Sequence, residues 1–411
     1  MGGEKYMKEP KLRFKADDGK GFPDWDAKRL GTLMSFKNGI NASGDKFGQG
    51  IKCISVMDIL NNPYIMYDVI KGSVDVDEKT LQNFLVEYGD AVFQRSSENV
   101  QDAGRANVYM DKENSATFSG FVIRGKRIAN YEPWFMNAML NTFFVRKQIM
   151  SKAQGAQHIN IGQEILSSVV VKMPSLPEQQ KIADFLSTID TIIEKQRATV
   201  SAWEERKKGV MQKLFSQEVR FKADDGSDFP DWEEKKMTDL FTRIVEKNRT
   251  DLPALTIIQG QGTVRRDESD RRISYDSKGL KNYKVVRKDN FIVHLRSFEG
   301  GLEIANQDGI VSPAYHVYQG NANVNPKFYY PYFRSNNFIR GHLAICVTGV
   351  RDGKNIEMNA FDELLLPCPS LPEQQKIADC LSALDAVIEK QKETLEKWQE
   401  LKKGLLQQMF V

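Results

Sequence analysis

The sequence lacks most of what a catalytic chain needs. Its 411 residues include only four cysteines (Cys53, Cys346, Cys368, Cys380), spaced for neither a metal site nor a disulfide framework. So few scattered thiols point to a reducing cytoplasm. The four histidines (His158, His294, His316, His342) form no His-x-x-x-His or Cys/His cluster, which speaks against zinc. There is no Walker A loop, and Gly260-Gln261-Gly262 does not continue into a phosphate-binding fingerprint. Asn61-Asn62-Pro63-Tyr64 falls one proline short of the Asn-Pro-Pro-Tyr sequence that holds a flipped adenine in amino-methyltransferases. No glycine-rich cofactor turn precedes it, and it reads as an ordinary turn. Pro23-Asp24 with Asp26-x-Lys28 carries the letters of a metal-dependent nuclease, as does Pro230-Asp231 with Glu233-x-Lys235. Such a site needs carboxylates from two strands, and here the letters are adjacent. No nucleophile–base pair stands out. No run of about 18 apolar residues is present to span a membrane. Met1-Gly2-Gly3-Glu4-Lys5-Tyr6 lacks the apolar stretch of a signal peptide and the hydroxyl residue of a myristoylation site. The expectation is a non-catalytic cytoplasmic chain that binds no metal or cofactor of its own.

What the sequence does have is repetition. Pro174-Ser175-Leu176-Pro177-Glu178-Gln179-Gln180-Lys181-Ile182-Ala183-Asp184 returns letter for letter from Pro369 to Asp379, and 26 of 42 positions agree between Pro174–Phe215 and Pro369–Phe410. A second pair flanks the first. Arg13-Phe14-Lys15-Ala16-Asp17-Asp18-Gly19 with Phe22-Pro23-Asp24-Trp25 matches Arg220–Gly226 with Phe229-Pro230-Asp231-Trp232. A period of about 200 residues is far beyond the 20–50 of a solenoid repeat and is the size of a whole domain. The segments between the repeats, roughly 33–173 and 240–368, hardly align. The frame is kept while the contents differ, as expected if the frame serves assembly and the contents read two different things. The boundaries follow: a first recognition domain over 1–173, a repeated spacer helix over 174–216, a second recognition domain over 217–368 and a second spacer helix over 369–411.

Each repeated segment reads as one long helix. Ser175-x-x-Glu178 and Ser370-x-x-Glu373 have the form of capping boxes, with the glutamate reaching back to the cap. The apolar spacing alternates four and three, the signature of a coiled-coil seam. The seam runs Ile182, Leu186, Ile189, Ile193, Gln196, Val200, Trp203, and again Ile377, Leu381, Leu384, Ile388, Gln391, Leu395, Trp398. The nearest partner for each seam is its twin, and an antiparallel pairing separates the two variable regions. Gln196 and Gln391 both fall in the seam, where a buried polar residue costs stability but fixes register.

Candidate nucleic-acid contacts lie in the variable regions. Net charge is only +3, so charge alone does not establish a nucleic-acid partner. Its distribution says more: Arg243, Lys247, Arg249, Arg265, Arg266, Arg271, Arg272, Lys278, Lys281, Lys284, Arg287 and Lys288 form a basic run, broken by Asp267, Glu268 and Asp270. Arg95-Ser96-Ser97-Glu98 follows Gly89–Phe93, and Arg296-Ser297-Phe298-Glu299 follows Asn290–Val293. Each reads as a buried strand entering a polar loop. Arginine can hold guanine through two hydrogen bonds; equally, an internal Arg–Glu pair can shape the loop. Gln154, Gln157 and His158 flank Gly155 late in the first region, and Arg351 follows Gly349 late in the second, where a glycine permits close approach to phosphate. Gln259, Gln261, Arg265 and Arg266 form a further cluster, and Arg105 completes the candidate set.

The doubled Pro-Ser-Leu-Pro-Glu-Gln-Gln-Lys-Ile-Ala helices and doubled Phe-Pro-Asp-Trp entrances resemble the specificity (S) subunit of type I restriction–modification systems. Arg296-Ser297-Phe298-Glu299-Gly300-Gly301-Leu302 and Val311-Ser312-Pro313-Ala314-Tyr315 also look typical of that family's target-recognition domains. The resemblance implies an α/β (α+β) chain in which two pseudo-twofold-related target-recognition domains are separated by two long antiparallel coiled-coil helices. Each domain would read half of a bipartite site in double-stranded DNA. Two modification (methyltransferase) subunits would bring S-adenosylmethionine, and two restriction (motor–nuclease) subunits would use ATP and Mg, in a prokaryotic cytoplasm. A stand-alone two-headed DNA-binding regulator or scaffold is the alternative.

Overall fold

The computed structural model describes residues 10–155, 158–268, 277–293, 301–349 and 355–410. It divides into two compact units. One comprises Met1–Arg197 with Thr394–Val411, the other Ala198–Glu393. Each unit therefore owns the start of one repeated helix and the end of the other.

In the first unit a four-stranded antiparallel sheet runs in the order Met34–Asn38, Val122–Arg127, Ala91–Gln94, Ala106–Val108. The strand Ala91–Gln94 is buried throughout, and its period of two divides it between two cores. Ala91 and Phe93 enter the larger core, which also takes in Ile182, Leu186, Met409 and Phe410 of the repeated helices. Val92 faces a smaller core with Ile54, Tyr109 and Phe118.

The second unit repeats this plan with unrelated residues. Its four-stranded sheet runs Phe241–Ile244, His316–Gly320, Phe291–Val293, Glu303–Ile304. Phe291 and Val293 enter the core that holds Leu214, Phe215, Ile377 and Leu381, while Ile292 faces a second core with Leu255 and Val311. The two strands expected ahead of the polar loops are thus present and buried on both faces.

The two repeated motifs prove to be two halves of one device. In the first unit Arg13 donates to Glu178 through Nε at 3.0 Å and Nη2 at 2.9 Å, and Trp25 Nε1 adds a third donor at 3.2 Å. Arg220 grips Glu373 in the same way, at 3.0 and 2.9 Å. Both glutamates are fully buried. A buried carboxylate is tolerable only when paired, so the motifs are joined by necessity. This corrects the capping-box expectation: the glutamates turn to the arginines, and the Ser175 and Ser370 hydroxyls have no hydrogen-bond partner among the described residues. The next glutamine serves the domain. Gln179 Oε1 accepts from Glu132 N at 2.9 Å, and Gln374 Oε1 accepts from Asn325 N at 2.8 Å. Glu132 and Asn325 each cap the helix that follows, Pro133–Leu140 and Pro326–Phe333. Lys181 pairs with Asp17, and Lys376 with Asp224. Entrance strands close the frame, Asp26–Arg29 pairing with Val170–Met173 and Glu233–Lys236 with Leu365–Cys368.

The long helices are Leu176–Phe215 and Leu371–Met409. They run antiparallel within each unit. Asp190 pairs with Lys402 in the first, and Lys207 with Asp385 in the second. These two ion pairs are equivalents under the repeat. The seam positions Ile182, Leu186, Ile189, Ile193, Val200, Ile377, Leu381 and Ile388 are buried. Gln196, Trp203, Leu384, Gln391, Leu395 and Trp398 are half-buried.

Candidate nucleic-acid interface

In the first unit, long-range pairing brings two of the candidate segments together. Ser96–Ser97 forms an antiparallel ladder with Ile159–Asn160. The Ser96 hydroxyl donates to Asn160 Oδ1, and Gln154 exchanges backbone hydrogen bonds with Asn160 at 3.2 and 2.7 Å. Gln154 and His158 are exposed beside this ladder. Gly155 has φ +125°, and a Cβ there would lie 2.0 Å from the His158 carbonyl oxygen. Its glycine character is therefore accounted for by closure of the loop itself. Arg95 is half-buried; its guanidinium donates to the Gly120 carbonyl at 3.2 Å, and its backbone bonds Phe121 and Ile161. No Arg95–Glu98 pair forms. The arginine shapes the loop through a carbonyl instead.

Arg105 makes an ion pair with Asp102 at 3.5 Å and opens onto a cavity of 420 Å³. Arg146, which no sequence motif marked, lines the same cavity and donates to the Gln101 carbonyl at 2.8 Å. Burial and then the charge of Arg105 push Arg146 down to about 10. The two sit about 40 residues apart on unrelated elements, so local sequence carries no signal of their meeting.

In the second unit, Gln259, Gly260 and Gln261 form the turn of the hairpin Leu255–Ile258/Gly262–Arg265. Gly260, at φ +82°, donates its N–H to Glu303 Oε1 at 2.8 Å. Glu303 is buried and also accepts from Arg334 and from the Tyr330 hydroxyl at 3.1 Å. This network pins the turn and leaves the Gln259 and Gln261 side chains exposed. Arg265 is matched by Asp267 at 2.9 Å and Glu268 at 3.5 Å. Asp267 and Glu268, two of the acids that break the basic run, therefore neutralise Arg265, while Asp270, Arg271 and Arg272 lie outside the described residues. Arg266 lies over the Tyr283 ring at 5.3 Å and donates to its hydroxyl. Gln157, Arg296, Ser297 and Arg351 lie outside the described residues. Among the described residues, no group of three or more His, Cys, Asp or Glu side chains is placed to hold a metal ion, and no helix is long and apolar enough to cross a membrane.

Two domains with unlike loops on a doubled frame define a protein of two repeated units. The model of the type I restriction modification DNA specificity domain matches residues 24–200 and again 230–397. The chain belongs to that family and carries its domain twice. It is 24% identical over 408 residues to a candidate specificity subunit of the MjaX type I restriction enzyme of Methanocaldococcus jannaschii, covering 91% of this chain and 90% of that protein. It is 26% identical over 292 residues to the MjaVIII type I restriction enzyme specificity subunit of the same organism, covering 64% and 66%. Among solved structures, one from a study of assembly and conformational transition of the type I R-M system aligns with a TM-score of 0.53 at 15% identity, over 94% of this chain and 98% of that chain. A type I S subunit from M. genitalium aligns over 98% and 99% with a TM-score of 0.49 at 13% identity.

Proposed function

We propose that this chain is the DNA-reading subunit of a type I restriction–modification complex, with each unit reading one half of an asymmetric, interrupted site in duplex DNA. The carrying observation is the doubled family domain on a doubled latch with different contents. A repeated frame suits equivalent docking of identical partners, and unlike loops suit unlike half-sites. The two target-recognition domains, 1–173 and 217–368, would then be separated by the spacer helices 174–216 and 369–411. On this reading the chain performs no chemistry. Two modification subunits bind S-adenosylmethionine and methylate adenine on both strands. Two restriction subunits supply ATP-driven movement and Mg-dependent cleavage, in the cytoplasm of a prokaryote.

The experiment is methylome mapping in a host that carries the modification subunit, with and without this chain. A bipartite methylated motif that appears only with this chain supports the proposal. DNA binding by the chain with no change in the methylome would favour the stand-alone regulator. Methyl transfer from S-adenosylmethionine by the purified chain alone would overturn the non-catalytic role.

A further inference from the structure

Part of the basic run in the second unit, and the two lysines just ahead of it, are already neutralised. Lys235 pairs with Glu233 at 3.0 Å, Lys236 with Glu363 at 2.6 Å, and Arg249 with Asp251 at 2.7 Å. Arg287 pairs with Glu246 at 3.3 Å and Asp308 at 3.6 Å. Arg243, Lys247 and Lys284 are not neutralised: among the described residues none of the three has a carboxylate within ion-pair distance, a condition they share with Lys281 and Lys288, and what sets the three apart is their placement. Glu246, the acid between the first two in sequence, is engaged by Arg249 and Arg287.

The backbone places these three cations together. Arg243 lies on Phe241–Ile244, the edge strand of the sheet, opposite Tyr318. The chain then continues alongside Lys284–Val286, with Lys247 bridged to Lys284 and Val285 N donating to the Glu246 carbonyl at 2.9 Å. Arg243 and Lys247 are exposed, and Lys284 is half-buried with its ammonium on the Tyr315 carbonyl. The crowding is felt by its members. Burial, then Arg243 and Lys247, hold Lys284 below the ordinary lysine range. Burial, then Arg243 and Lys284, take His316 down to about 4, against the opposing pull of Asp362. Unmatched cations held together repel one another, and a bound anion relieves that repulsion.

We infer that Arg243, Lys247 and Lys284 form the phosphate anchor of the second unit, a sequence-independent grip on the backbone of duplex DNA. The inference rests on the DNA-reading function proposed above. It assigns these residues to positioning, and leaves base discrimination to others.

The test uses the full chain and a set of fluorescent duplexes of different defined sequence, with affinity measured from 50 to 200 mM salt. Each phosphate contact contributes about −0.9 to the slope of log affinity against log salt. Arg243→Gln with Lys247→Gln, both at exposed positions, should make the slope shallower by about 1.8, and adding Lys284→Gln by about 2.7. Should the triple variant unfold, the double variant carries the test. Lys236→Gln, which removes a charge matched by Glu363, should leave the slope unchanged. DNA binding by the parent with the same slope in the double variant would overturn the anchor alone. A loss confined to one DNA sequence would also overturn it, by making these residues base readers. A parent chain with no salt-dependent DNA binding would overturn the anchor and the DNA-reading function together.

Discussion

Replacing Arg220 with alanine should unfold the second unit at a markedly lower temperature. Glu373 is fully buried and receives both of its strong hydrogen bonds from Arg220, at 3.0 and 2.9 Å. Without the guanidinium, a carboxylate stays in the core with nothing to balance it. Breaking a buried pair from one side costs about 3–5 kcal/mol. For a unit of this size each kcal/mol moves the midpoint by about 2–4 °C, so the shift should be about 6–20 °C. Arg13→Ala should be milder. Trp25 Nε1 still donates to Glu178 at 3.2 Å, whereas Trp232 Nε1 has no hydrogen-bond partner. That surviving bond should spare about 1–3 kcal/mol. Arg220→Met combined with Glu373→Met should recover much of the loss, because replacing both partners removes the stranded charge. Scanning calorimetry of the full chain reads all three variants. A shift below about 3 °C for Arg220→Ala, or a double variant no more stable than the single, would refute the argument from buried charge.

Three further outcomes are expected. Arg95→Ala frees the Gly120 carbonyl and should degrade reading of the first half-site only, by about 1–3 kcal/mol if the loop presents a base contact; binding of mismatched duplexes checks this, and equal weakening on every sequence would make Arg95 a phosphate contact. His316 lies near 4 in the folded chain against an ordinary 6.5, so the unfolded chain takes up a proton that the folded one refuses. Its contribution to stability should be complete above about pH 6.5 and decline as the pH falls toward about 4; His316→Gln should reduce the difference between urea midpoints at pH 7.5 and 5, leaving the share of His342, which burial shifts in the same direction. An identical difference in variant and parent would count against it. Four residues inserted after Val200 lengthen the central helix by about 6 Å; the methylated motif should keep both half-sequences and gain a longer gap, and an active variant with an unchanged gap would assign the spacing to the partner subunits.

The helices were legible because their signal is periodic and local. Ile182, Leu186, Ile189 and Ile193 announce a seam at fixed steps, and the same steps recur from Ile377. The latch was visible only as two unexplained repeats. Arg13 and Glu178 lie 165 residues apart, and the Ser-x-x-Glu pattern had a good local explanation that the tertiary partner overrode. The recognition domains were the least legible part. Their sheets are built from strands as short as Ser96–Ser97 and Glu303–Ile304, too brief to show a period. The juxtaposition of Ser96 with Asn160, and of Arg105 with Arg146, depends on pairings that no local window contains. The arginines of the basic run looked alike in sequence; only their neighbours separate Arg265, matched by Asp267, from Arg243, which has no such match among the described residues.

The latch has a genetic consequence. Part of the contact between the frame and its contents is made by main-chain groups, the N–H of Glu132 in one unit and of Asn325 in the other, and by a strand edge. These contacts do not ask which side chain is present, and the rest is apolar packing against Ile182 and Leu186 and their equivalents Ile377 and Leu381. A crossover within the stretch encoding Pro174–Asp184, or within its twin at Pro369–Asp379, would join foreign contents to a frame already competent to hold them. Inheritance of a new DNA target would then ask of the scaffold only that apolar side chains meet the same helix positions, and lineages could trade specificities as intact cassettes rather than evolve them residue by residue.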